Sequence, residues 1–162
     1  ASIDHSSAGN TLHLRYELQA SLDHLRLPPA APDPQVMDGL WQHTCFEAFI
    51  GSPDARAYQE FNFSPSGDWA AYRFADHRVG MQPLELPEAP RMRWQQAPGQ
   101  LRLTVSLPLG PAAPPVLRLG LCAVVEATAG AMSYWALRHP PGPPDFHHEA
   151  ARVLELMLPG VE

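Results

Sequence analysis

The chain has 162 residues, 45% of them hydrophobic, and a formal net charge of -6, a length that fits one domain spanning residues 1–162 with a sizeable core and leaves no room for a second. Its 11 basic residues are all arginines and form no cluster; phosphate binding relies on a basic stripe that releases counterions, so no nucleic-acid partner is expected. No apolar run approaches the roughly 20 residues of a membrane-spanning helix. The opening Ala1-Ser2-Ile3-Asp4-His5 carries no charged leader followed by an apolar stretch, so a cytoplasmic protein without a membrane partner is expected.

Nineteen prolines break long helices and favour short strands joined by turns. Residues 11 to 18 alternate Leu12, Leu14, Tyr16 and Leu18 with polar neighbours, the period of a half-buried strand. A shorter run, Leu22 to Leu27, leads into the proline-rich connection Pro28 to Pro34, which cannot join a central ladder. Leu40 to Ile50 carries large apolar residues on both parities, as a strand between two packed layers would. Ala57 to Phe63, the turn Ser64-Pro65-Ser66-Gly67-Asp68 and Trp69 to Phe74 predict a hairpin.

Beyond the punctuation from Pro83 to Pro90, Arg91 to Gln96 and Leu101 to Leu107 bracket Ala97-Pro98-Gly99-Gln100 as a second hairpin. Val116 to Glu126 is apolar enough to be fully buried, and Met132 to His139 follows as another strand after the Thr128-Ala129-Gly130 turn. The C-terminal Phe146, Ala150, Val153, Leu154 and Met157 fit a helix, while Val153 to Leu158 alone fits a buried strand. In all, about nine or ten strands at sandwich spacing are expected, which makes the fold class all-β, an antiparallel β-sandwich. Cys45 and Cys122 each sit in an apolar segment and read as buried free thiols rather than a disulfide or metal pair.

The stretch Leu40-Trp41-Gln42-His43-Thr44-Cys45-Phe46-Glu47-Ala48-Phe49-Ile50, continued by Tyr58-Gln59-Glu60-Phe61-Asn62-Phe63-Ser64-Pro65-Ser66-Gly67-Asp68-Trp69, resembles the core signature of bacterial DOMON-like proteins. Ser133 to His148, with Tyr134-Trp135-Ala136-Leu137-Arg138-His139 and Asp145-Phe146-His147-His148, is similar to the same group's C-terminal motif, so the match covers most of the chain. This resemblance implies a jelly-roll-like sandwich related to family 9 carbohydrate-binding modules, whose members bind sugars, or haem in the cytochrome branch. It implies a final strand rather than a helix at 152–158, and a segment ahead of the first strand that the sequence does not show. A calcium ion bracing a loop, as in related sugar-binding modules, is a further cofactor it allows beside haem.

Sugars lay apolar C–H faces on an indole while their hydroxyls bond to fixed polar groups, which singles out Trp41 and Trp135 among the four tryptophans because polar residues stand close by in sequence. Core packing is the competing account of any tryptophan. His43 and Glu47 are four apart and expected on one strand face, with Glu60 and Asn62 sharing a face of the next strand. Alternatively, Glu47 and Glu60 point to solvent or pair with Arg73 and Arg78. Between Arg138 and His148 an arginine, an aspartate and three histidines share a proline-rich loop, whose stiffness lowers the entropy lost on holding a ligand.

His139, Asp145, His147 and His148 could bind a metal, but no HExxH pattern accompanies them; hydrogen bonding to a ligand or locking the loop is the expected role. For haem, Met81, Met132, His139 and His147 are formally available, without a Cys-x-x-Cys-His attachment. Glu47 and Glu60 would serve a glycosidase only at a defined separation, and no nucleophile elbow, phosphate loop or dinucleotide fingerprint occurs. The sequence therefore predicts a non-catalytic domain that binds a saccharide-like small molecule through Trp41, His43, Glu47, Asn62, Trp135, His139 and His147, with no metal in the site. The alternatives are a haem-binding domain and a protein-interaction sandwich.

Overall fold

The computed structural model describes residues 2–6, 9–110 and 113–158. Eleven strands lie among them: β1 (Ser2–Ser6), β2 (Gly9–Gln19), β3 (Cys45–Gly51), β4 (Tyr58–Phe63), β5 (Trp69–Phe74), β6 (Gln82–Pro83), β7 (Arg91–Ala97), β8 (Gln100–Pro108), β9 (Val116–Glu126), β10 (Met132–Ala136) and β11 (Leu154–Met157). A smaller sheet has the order β1-β2-β8-β7; a larger one has the order β10-β9-β3-β4-β5-β6, with β11 also pairing β9. All the pairings between these strands are antiparallel. The chain is an all-β sandwich, and no helix among the described residues is long and apolar enough to cross a membrane.

The two sheets differ in how their faces are covered. In β8, the sequence Gln-Leu-Arg-Leu-Thr-Val-Ser-Leu-Pro buries every second residue, so this sheet has one packed and one wet face. In β3 every residue is buried, because the larger sheet is covered twice. Its inner face, with Phe46, Ala48, Ile50, Phe61 and Phe63, packs on Leu12, Leu14, Leu103, Val105 and Leu107 of the smaller sheet. Its outer face, with Cys45, Phe49, Tyr58, Tyr72, Phe74, Cys122 and Val124, packs on Leu40, Trp41 and Phe146 from two connecting segments. Those two segments position the candidate site.

The first, residues 28–44, is stitched to the hairpin joining β4 and β5. Ala31 N–H donates to the carbonyl of Ser66 at 2.7 Å, Met37 N–H to that of Trp69 at 2.9 Å, and Gln35 N–H to the Asp68 carboxylate at 2.9 Å. Gly67 is needed at the turn because its φ is +96° and a Cβ there would stand 2.9 Å from Pro34. The second segment, 137–151, ends in a 3-10 turn at Glu149–Ala151. It lies so close to β9 that a Cβ on Gly120 would meet the Ala151 carbonyl oxygen at 2.9 Å.

Several sequence expectations need correction. Leu40 to Ile50 is not one strand: Gly39, at φ +76°, starts a 3-10 turn over Leu40–Gln42, and pairing begins only at Cys45. His43 therefore does not share a strand face with Glu47. Leu22–His24 is likewise a 3-10 turn. The strand expected through His139 ends at Ala136, after which Leu137 N–H donates to the Leu121 carbonyl at 3.2 Å. Val116 to Glu126 is not wholly buried, since Arg118 is exposed. The ambiguous C-terminus is a short strand, β11, preceded by the 3-10 turn. An unexpected strand, β1, precedes the first one foreseen. Cys45 and Cys122 are free and buried.

Candidate functional site

In antiparallel sheets, residues directly opposite one another point to the same side, so the register defines the outer face row by row. One row reads Ala136, Cys122, Glu47, Asn62, Ala70; the next reads Gly120, Phe49, Glu60, Tyr72. Glu47 and Asn62 are thus immediate neighbours with Glu60 diagonal to Glu47, and the row they occupy is otherwise made of short side chains. All three polar residues are buried, which discards the alternative that the two glutamates point to solvent. Arg73 and Arg78 do not pair with them either: Arg73 binds Gln82 and Arg78 binds Asp145.

The Asn62 amide N–H donates to Glu60 Oε1 at 2.8 Å. Glu47 Oε1 and Asn62 Oδ1 find no donor among the described residues. A buried polar atom left in this state costs about 1–3 kcal/mol, so these oxygens are a destabilising feature that folding alone does not explain. Burial, then the neighbouring Glu60 carboxylate, hold Glu47 well above the usual carboxylate range. Burial raises Glu60 too, opposed chiefly by the Asn62 amide and Arg78. Both shifts run toward the protonated form, that of Glu47 the more strongly.

Aromatic residues and one imidazole surround it. Trp41 is half-buried and makes an edge contact with Tyr72, centroids 5.9 Å apart, and the Tyr72 hydroxyl donates a short hydrogen bond to Asp38. The His147 ring lies 5.0 Å from Phe49 and 5.1 Å from Phe74 by centroids. Its Nδ1 is 2.7 Å from the Tyr58 hydroxyl. Arg78 N–H donates to that same hydroxyl at 3.2 Å, so the phenol proton is free to point at Nδ1, which places the imidazole proton on Nε2, 3.8 Å from Glu60 Oε2. Burial and the Arg78 guanidinium push His147 down to about 4, in keeping with a neutral ring.

The proline-rich loop is locked by its own polar residues. Asp145 binds His77 Nε2 at 2.8 Å and Arg78 Nη2 at 2.9 Å. Arg152 donates to the His147 carbonyl at 3.1 Å and stacks its guanidinium 4.7 Å above Tyr58. His148 Nδ1 accepts from Ala150 N–H at 3.1 Å. Among the described residues no group of three or more His, Cys, Asp or Glu side chains is arranged to hold a metal ion. Of the side chains formally available to haem, His147 has both ring nitrogens facing protein partners, Met132 lies against the outer-face cluster, and Met81 and His139 are exposed.

Of the seven residues singled out from the sequence, the structure brings Trp41, Glu47, Asn62 and His147 together on the outer face. The other three stand apart. His43 is mostly exposed beyond the end of β3, its Nδ1 2.8 Å from Glu126, whose other oxygen pairs with Arg26 at 3.0 Å. His139 is exposed, its ring 6.2 Å from Phe146. Trp135 is 62% exposed and pairs with Ala123, which pairs with Phe46; it therefore stands on the opposite side of the sheet. Its neighbour Tyr134, 46% exposed and 6.2 Å from Phe146, is the aromatic that edges the outer face on β10. Glu60 was legible from its parity with Asn62. Tyr72 and Asp38 meet only through the folded loop and left no sequence signal.

No protein-family model and no curated protein matches the chain. Among solved structures it is similar to a candidate carbohydrate-binding protein from Bacteroides uniformis, with a TM-score of 0.55 and 12% identity, covering 87% of this chain and 69% of that one. At that identity the likeness shows a shared fold.

Proposed function

We propose that the outer face of the larger sheet binds a saccharide and that the domain does so without catalysis. The observation that carries this is the pair of buried acceptor oxygens, Glu47 Oε1 and Asn62 Oδ1, adjacent on one row and without donors. Sugar hydroxyls are donors of the right kind, and a site built to bond hydroxyls leaves unpaired groups when empty. Trp41 at the rim supplies the flat apolar wall against which a pyranose ring stacks. The fold shared with a candidate carbohydrate-binding protein supports the reading, as does the sequence resemblance to DOMON-like domains and family 9 carbohydrate-binding modules.

The test is thermal melting with monosaccharides, disaccharides and cell-wall amino sugars at millimolar concentration, since a ligand that binds only the folded state raises the midpoint. A rise with one sugar class, lost in Asn62→Ala and in Glu47→Leu, which removes the acceptor oxygens, is expected. Unchanged midpoints throughout would defeat the proposal, and a rise that survives both substitutions would move the site elsewhere.

A further inference from the structure

A separate pocket opens at one end of the sandwich, between the sheets. On the inner face of the larger sheet, one cross-strand row reads Ile50, Gln59, Arg73, Gln82. The inner-face positions of β3, β4 and β5 otherwise hold Phe46, Ala48, Ile50, Phe61, Phe63, Trp69 and Ala71, so Gln59 and Arg73 are the two places where the apolar pattern fails. They fail where a cavity of about 810 Å³ lies, walled by Phe61, Leu84, Leu109 and Leu117, with Gln59 and Arg73 on its polar side. That volume falls within the roughly 300–1,000 Å³ typical of small-molecule sites, which combine apolar walls with a few placed polar groups.

Arg73 has the chemistry of an anchor. Its Nε and Nη2 both donate to Oε1 of Gln82, at 3.0 and 2.6 Å, a neutral partner that fixes the guanidinium plane without neutralising its charge. Among the described residues Arg73 makes no ion pair, in common with Arg93, Arg138 and Arg152. A guanidinium has five donors in a rigid fork matched to a carboxylate, and only two of them are engaged here. Glu85 also lines the cavity and is exposed, so its charge opposes an anion and weakens binding without blocking it.

We infer that this pocket is a second binding site, for an amphipathic carboxylate with an aliphatic body, its chain against Phe61, Leu84, Leu109 and Leu117 and its head on Arg73. The site has Tyr58 and Phe74 in its lining, in common with the outer face, but neither Glu47 nor Asn62.

The experiment is isothermal titration of the whole chain with octanoate, and with octylamine as the same body carrying the opposite charge. Octanoate is expected to bind and octylamine not. Arg73 is exposed, so Arg73→Gln leaves the fold intact; it should weaken octanoate about 10-fold or more, the scale of one lost charge-assisted hydrogen bond. Glu85→Gln should tighten it, and Asn62→Ala should leave it unchanged. No heat of binding at millimolar octanoate, equal binding of octanoate and octylamine, or an affinity indifferent to Arg73→Gln would each overturn the inference.

Discussion

The two faces of the larger sheet are made by the same strands yet obey different rules. Along β3 the inward residues are Phe46, Ala48 and Ile50, and the outward ones Cys45, Glu47 and Phe49. Along β4 the inward Phe61 and Phe63 alternate with the outward Glu60 and Asn62. Both faces are buried, so solvent exposure does not account for the difference. The inner face is closed by another sheet with matching side chains, whereas the outer face is closed by two loops over buried acids that the protein only partly satisfies. Burial of this second kind is costly for stability, which is the mark of a surface kept for something other than the core.

That contrast breaks most visibly at Phe61, which is 1% exposed on the inner face. Phe61→Ala should destabilise the domain by about 3–5 kcal/mol through lost burial and a residual cavity, read as a fall in denaturant midpoint, with no effect particular to sugars. A loss well under 1 kcal/mol would show that the inner face is not the main source of stability.

The outer face should reveal itself through pH. His147 is held neutral, pushed from 6.5 down to about 4, so its contribution is fully present above 6.5 and is lost as pH falls towards 4, where the folded ring must charge. Allowing for its partial contact with solvent, this amounts to about 2 kcal/mol. His147→Gln should flatten the acid limb of the stability curve; an unaltered limb would show that the ring is not held neutral by the fold. Glu47 has the opposite sign. Its folded pKa is raised, so the proton it keeps favours the folded state at low pH, and that stability is lost as pH rises through the raised value. Glu47→Gln should therefore match the parent at pH 4 and exceed it at pH 8 by about 1 kcal/mol, a divergence absent if Glu47 were solvated. The smallest effect is expected at Trp135, 62% exposed on the other side of the sheet: Trp135→Ala should change stability by no more than about 0.5 kcal/mol and leave sugar binding intact.

Alternation and turn chemistry made most of the fold legible. Trp69–Phe74 and Val116–Glu126 occupy the residues their patterns indicate, because turns bound them on both sides and pleat period fixes their faces. The segment before β3 was not, because Leu40 and Trp41 are apolar enough to extend a strand and only Gly39's left-handed backbone reveals the turn. The site was half legible for the same reason. Glu47, Glu60 and Asn62 follow from parity and register. Trp135 and His43 fall outside the proposed outer-face site because nearness in sequence to polar residues does not say which side of an edge strand, or which end of a central one, a side chain occupies. Tyr72 with Asp38, and Tyr58 with His147, are 34 and 89 residues apart, contacts that no local pattern contains.

The most direct test of the outer-face site is the indole N–H resonances of the four tryptophans, assigned by single Trp→Phe variants and followed as the sugar that raises the melting midpoint is added. The proposed site predicts that the Trp41 signal shifts in proportion to saturation while the Trp135 signal stays in place. A shift of Trp135 with Trp41 unmoved would contradict it and transfer binding to the opposite side of the sheet.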